Sequence, residues 1–239
     1  MQKVTMVGTV GKNITVSETD KSKRFEFFLN VKKEVTTKDG VINIITMGAK
    51  VVYLSTDVEF EKKLKPSVFV LVSGFAVPLL IERNEKTYPL LEIDFASVLI
   101  LGGNTKNFAA FDAVGYIGSS LIKEVGEMAV CNFSVAENRL NKDTGESTVM
   151  WARCSFWKKA DKTKVFDYLT PGQLLYVTGE PYIRVYTDKN GDNAVSLEVR
   201  VNNVELLGGG KKRDYSTRLE KNSEPGPELA TSFNEDLPF

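Results

Sequence analysis

The chain of 239 residues contains no histidine, only two cysteines, and no apolar run near the roughly 18 residues of a membrane span. Without imidazole the commonest general base is missing, which weakens most hydrolase schemes. A zinc site would have to be completed by carboxylates alone, so no metal or other cofactor is expected. Cys131 and Cys154 each sit inside an apolar strand pattern with no C-x-x-C spacing, and read as reduced core thiols of a cytoplasmic protein. The first ten residues lack the charged-then-apolar pattern of a secretory signal. Gly8-Thr9-Val10-Gly11-Lys12 has the wrong glycine spacing for a phosphate loop, and no Ser or Thr follows the lysine. A tight turn is the better reading, and no catalytic constellation emerges. The sequence predicts a binding protein, not an enzyme.

Lys+Arg and Asp+Glu balance at 31 each, but unevenly along the chain. Residues 1–102 carry 14 basic against 12 acidic side chains, and residues 103–213 carry 15 against 13. Residues 214–239 hold two bases against six acids. Two mildly basic bodies are followed by an acidic tail.

One stretch carries chemistry. Residues 149–159 read V-M-W-A-R-C-S-F-W-K-K. Strand alternation puts Met150, Ala152, Cys154 and Phe156 on one apolar side. Trp151, Arg153, Trp157 and Lys159 share the other. Such a face could pack against a second sheet with Arg153 reaching out to water. It could equally stack unpaired bases on the indoles while the cations track phosphates. Tyr182, Arg184 and Tyr186 repeat the aromatic–basic–aromatic alternation, with Ile183 and Val185 opposite, and favour the stacking platform.

The chain also repeats itself. Val98-Leu99-Ile100-Leu101-Gly102-Gly103 matches Val204-Glu205-Leu206-Leu207-Gly208-Gly209, and the match runs back through Leu91-Glu92-Ile93 and Leu197-Glu198-Val199. Pro66 and Gly74 parallel Pro171 and Gly179, and Gly8 and Gly11 parallel Gly115 and Gly118. Landmarks in one order at near-constant spacing mark a duplicated domain. In the second copy, strands are predicted at residues 111–122, 128–135, 149–158, 174–186 and 194–206. A turn is expected at Asn141-Lys142-Asp143-Thr144-Gly145, and a helical insert at 162–169 on Val165, Phe166 and Leu169. The first copy should carry a longer insert between Lys50 and Pro66. About 100 residues of strand-strand-strand-helix-strand-strand fits an all-β, partly open five-stranded barrel of the oligonucleotide-binding (OB) type. Two tandem OB barrels are predicted, at 1–103 and 104–210, with 211–239 as a disordered tail.

Asp143-Thr144-Gly145-Glu146, Trp151-Ala152-Arg153, Trp157, Pro171-Gly172, Tyr176-Val177-Thr178-Gly179 and Leu206-Leu207-Gly208-Gly209 together resemble the bacterial single-stranded DNA-binding protein family. Glu235, Asp236, Leu237, Pro238 and Phe239 resemble that family's acidic C-terminal tip. The resemblance is to the variants with two barrels in one chain. It implies a coat protein for single-stranded DNA in replication, repair and recombination, with stacking on Trp151, Trp157 and Tyr186 and phosphate contacts from Arg153, Lys159 and Arg184. It further implies recruitment of other proteins through the tip, and a homodimer that assembles four barrels. Two departures stand out: Ala152 replaces the family's usual histidine, and no aromatic occurs near Arg139 and Leu140. An adaptor module contacting proteins and a single-stranded RNA binder are the rival readings; a nuclease is disfavoured.

Setting Thr46 against Ser155 and Gly74 against Gly179 aligns the two faces. Ile42, Ile44 and Gly48 then stand for Trp151, Arg153 and Trp157, and Val77, Leu79 and Ile81 for Tyr182, Arg184 and Tyr186. The first barrel is therefore expected to have a degenerate, aliphatic face that mainly serves assembly or partner contacts, with most of the DNA held by the second; stacking by Tyr53, Phe75 or Tyr88 from outside these strands is the alternative.

Overall fold

The computed structural model describes residues 2–36, 42–83, 86–103, 105–140 and 147–208. The turn expected at 141–145 and the whole stretch from 209 onward, including Glu235 to Phe239, lie outside the described residues. Among those described, no helix is long and apolar enough to cross a membrane.

Two compact units are present, one built mainly on Lys3–Ala110 together with Ile183–Val195, which holds Arg184 and Tyr186, and the other on Phe111–Tyr182 with the chain from Ser196. In the first, β1 (Gln2–Glu18), β2 (Lys23–Thr36), β3 (Ile42–Ser55), β4 (Phe69–Arg83) and β5 (Lys86–Ile100) pair in the cyclic order β1-β2-β3-β5-β4-β1. In the second, β6 (Phe108–Val125), β7 (Met128–Leu140), β8 (Ser147–Lys159), β9 (Leu174–Thr187) and β10 (Asn193–Gly208) repeat that order. All the described registers are antiparallel except β3–β5 and β8–β10, which run parallel. This is the OB barrel in both halves.

Period-two alternation decides what each barrel encloses. On β2, Phe25, Phe27, Leu29 and Val31 are buried, while Glu26, Phe28 and Asn30 between them are not. On β7, Ala129, Cys131, Phe133 and Val135 point inward, joined by Ala152, Cys154 and Phe156 of β8 and by Leu197, Val199 and Val201 of β10. The faces of β8 are thus those the alternation predicts.

The two inserts differ. In the first barrel α1 (Val58–Lys63) is α-helical: the Asp57 side chain caps it by accepting from Glu59 N at 2.8 Å. Glu59 and Glu61 in its first turn and Lys62 and Lys63 in its last match the helix dipole. Phe60 plugs the barrel against Phe25 (5.1 Å between centroids) and Tyr53 (4.8 Å). In the second barrel the predicted helix is instead two 3-10 turns, Ala160–Lys162 and Lys164–Tyr168, with no side-chain cap on either. β-branched Thr163 and Val165 and the missing cap disfavour a full α-turn. The plug survives regardless, because Phe166 is 1% exposed and lies 5.8 Å from Phe156.

Cys131 and Cys154 are buried free thiols, 0% and 1% exposed. Burial pushes the Cys154 pKa strongly up, and the charges of Cys131 and Glu198 add to it. Native protein should therefore show no thiol reacting rapidly with a disulfide reagent at pH 8, and two after denaturation. Rapid titration of either thiol in the folded protein would contradict this core.

Candidate nucleic-acid interface

The outer face of the second barrel is built on β8. Trp151 is 48% exposed, Arg153 and Trp157 are half-buried, and Lys159 is exposed at the strand end. Across the ladder, Arg153 stands opposite Ser134, Trp151 opposite Ala136 and Trp157 opposite Val130. Small residues on β7 leave the larger β8 side chains standing proud of the sheet.

Trp151 is seated by a bulge. The β6–β7 register shifts between Ile117 and Ser120. Ser134 Oγ pins that bulge by accepting from Ser119 N at 3.0 Å and by bonding Ser119 Oγ at 2.9 Å. Gly118 thereby comes under the indole: a Cβ there would stand 2.6 Å from Trp151 Cη2 and closer still to Cζ3. No side chain larger than hydrogen fits while the ring stays where it is. A bulge that re-aims a side chain is a recurrent device at binding sites.

The polar centre is Glu198 of β10, only 4% exposed. Its carboxylate accepts from the Tyr182 hydroxyl and from Ser196 Oγ, each at 3.1 Å. The parallel register sets Glu198 beside Arg153. A buried carboxylate is costly unless hydrogen-bonded, and here the Tyr182 bond ties β9 to β10. Arg184 and Tyr186 follow Tyr182 along β9, both half-buried. Sequence reasoning missed Glu198, Gly118 and Ser134. The signals were available: a glutamate recurs between aliphatics in both copies (Glu92, Glu198), and so does the glycine of Gly11 and Gly118.

The first barrel corrects the alignment of the two faces. Ala49 pairs with Leu91, whereas Ala152 pairs with Leu197, the same landmark in the repeat. Trp151 therefore corresponds to Gly48, Arg153 to Lys50, Ser155 to Val52, Trp157 to Leu54 and Lys159 to Thr56. The placement of Thr46 against Ser155 was six residues out along β3. Ile42 and Ile44 are exposed, at 62% and 63%, but they lie at the far end of the β2–β3 hairpin, not at the platform. Val77 pairs with Glu92, the counterpart of Glu198, so Val77, Leu79 and Ile81 keep their places against Tyr182, Arg184 and Tyr186. Lys50 is held by Glu92 Oε2 at 2.7 Å and Glu26 Oε2 at 3.4 Å. Its pKa is raised, chiefly by the hydrogen bond to Glu92.

Comparison with known proteins places this geometry. Residues 114–207, nearly all of β6 through β10, match the Single-strand binding protein family. The second barrel is similar to that family over those residues. Single-stranded DNA-binding protein 2 of Clostridium acetobutylicum is 28% identical over 117 residues, which is 46% of this chain and 82% of that protein. Single-stranded DNA-binding protein 1 of Streptococcus pyogenes serotype M18 is 25% identical over 114 residues, 47% of this chain and 83% of that protein. Among solved structures, the wild-type single-stranded DNA binding protein from Thermus aquaticus matches with a TM-score of 0.56 at 15% identity, covering 91% of this chain and 98% of that one. A deletion mutant of the same protein gives 0.57, also at 15% identity, over 86% of this chain and 94% of that one. The fold of the single-strand binding proteins, expected from the repeat and its motifs, is the fold observed.

Gly118→Ala should displace the Trp151 ring from its seat at a stability cost of about 1 kcal/mol, the low end of overpacking costs. The expected readout is greater acrylamide quenching of tryptophan fluorescence with little change in melting temperature. Unaltered quenching would show that the bulge does not hold the ring.

Proposed function

We propose that the chain binds single-stranded DNA, with the second barrel as its main binding surface. The observation that carries this reading is the row Trp151–Arg153–Trp157, displayed along β8 of a barrel whose sequence matches the single-strand binding protein family. Bases stack on the indoles and on Tyr182 and Tyr186, while Arg153, Lys159 and Arg184 meet the phosphates. Supporting it, Trp151 is 48% exposed and its six-membered ring lies against Gly118, where a Cβ would overlap it. The names of both bacterial relatives point to the same ligand.

The finer assignments rest on sequence. Residues 235–239 combine two acids with Leu237, Pro238 and Phe239, downstream of a segment rich in negative charge. They are suited to dock on basic, apolar pockets of replication, repair and recombination proteins. Two barrels per chain make a homodimer the economical route to a four-barrel assembly. Residues 1–103 form the barrel with the degenerate DNA face, 104–210 the main single-stranded DNA-binding domain and 211–239 the docking tail.

Trp151→Ala and Trp157→Ala should each weaken poly(dT) binding by about 1–3 kcal/mol without unfolding the barrel. Binding should fall with salt at a log–log slope near −0.7 per phosphate neutralised. Fluorescence titration checks both, and a folded double variant that binds as tightly as the parent would refute the platform. Poly(U) and duplex DNA run in parallel test the RNA-binding alternative. Removing Asp236 to Phe239 should leave poly(dT) affinity equal or slightly higher, since an acidic competitor for the basic face is lost. The same truncation should abolish pull-down of replication and repair proteins; capture undiminished by it would rule out the docking role.

A further inference from the structure

The first barrel has not simply lost its aromatic surface; it has moved it one strand across. The register fixes four equivalences: Gly48 with Trp151, Lys50 with Arg153, Asn30 with Ala136 and Phe28 with Ser134. Where the second barrel pairs Trp151 with Ala136 and Arg153 with Ser134, the first pairs Gly48 with Asn30 and Lys50 with Phe28, so its ring stands on β2 opposite the shared cation position. Phe28 is 41% exposed although Phe25 and Phe27 of the same strand are buried. Phe28 is the diagonal cross-strand neighbour of Gly48, so its ring is displaced by roughly 7–8 Å, one strand across and two residues along.

The surroundings of Phe28 copy those of Trp151. The β1–β2 register shifts between Val10 and Ile14, as the β6–β7 register does between Ile117 and Ser120. The bulge again carries a glycine, here packed against the backbone and stem of the aromatic residue: a Cβ on Gly11 would meet Phe28 O at 3.2 Å and Phe28 Cβ at 3.3 Å. On the other side, a Cβ on Gly48 would meet nothing within 4 Å, so the space above that position is open. A half-exposed phenylalanine alone is unremarkable. This one adjoins a bulge glycine and stands opposite Lys50, the counterpart of Arg153, on the same face as the platform of the second barrel. Lys12, next to Gly11, and Lys32, further along the face of Phe28, are exposed cations on either side.

We infer that Phe28 is a base-stacking residue of the first barrel, adding a second, weaker contact for single-stranded DNA on the β2 side of its face. This rests on the single-stranded DNA reading of the second barrel. The first barrel then contributes one ring where the second contributes several, and its aliphatic Val77, Leu79 and Ile81 add apolar contact without a stacking plane.

The full-length chain carrying Phe28→Ala should bind poly(dT) roughly fivefold to 100-fold more weakly, the range of one base–aromatic stack. Phe28→Trp should retain binding and increase the fluorescence quenched on saturation. Photo-cross-linking to an oligonucleotide containing 5-iododeoxyuridine should label the tryptic peptide 25–32 in the parent and lose that label in Phe28→Ala. If Trp151→Ala weakens binding while Phe28→Ala binds like the parent and peptide 25–32 is never labelled, this inference is overturned and the reading of the second barrel stands. A parent chain that does not bind poly(dT) would overturn both.

Discussion

Each barrel closes through one parallel strand pair, β3–β5 in the first and β8–β10 in the second, and the site depends on that closure. Antiparallel hairpins form locally, but a parallel pair must bring together segments separated by an insert and a further strand. When β10 docks against β8, Leu197, Val199 and Val201 complete the core and Glu198 comes alongside Arg153. The Phe166 plug has the same dependence, since it fills the end of a barrel that exists only once closed. Core, plug and binding face therefore form together. A substitution that loosens the parallel pair would remove the Tyr182–Glu198 bond at the same stroke.

Within that frame the outer surface is adjustable. Both barrels keep a carboxylate from the closing strand on the face. Glu198 is satisfied by Tyr182 and Ser196, whereas Glu92 is satisfied by Lys50. Val77 offers no hydroxyl where Tyr182 does, and in the first barrel Lys50 holds the carboxylate. The ring that β8 sets opposite a small residue is absent from β3, and a ring appears instead on β2 opposite Lys50, with the backbone bulge retained. Duplication preserved the scaffold and its glycine seats while side chains on the face were redistributed, which is how one fold supports unequal binding surfaces.

Much was legible in the residues alone. The duplication, the two barrels, the split of β8 into an apolar and an aromatic–basic face, and the family all follow from alternation, spacing and motif order, because these are local properties of the chain. Gly118, Ser134 and Glu198 were not read as parts of the site. Their roles come from neighbours far away in sequence: Ser134 on the Ser119 backbone, Gly118 under Trp151, Glu198 beside Tyr182. The alignment of the two faces failed for a sharper reason. Strand side chains repeat every two residues, so an error of one residue would have turned the set inward and betrayed itself. The error was of six, an even number, and left every residue on the face it had been assigned. No pattern of alternation can detect such a slip. The sequence by itself determined which side chains face outward; only the hydrogen-bonded pairing of β3 with β5 decided which of them stand opposite one another, and so where the first barrel carries its ring.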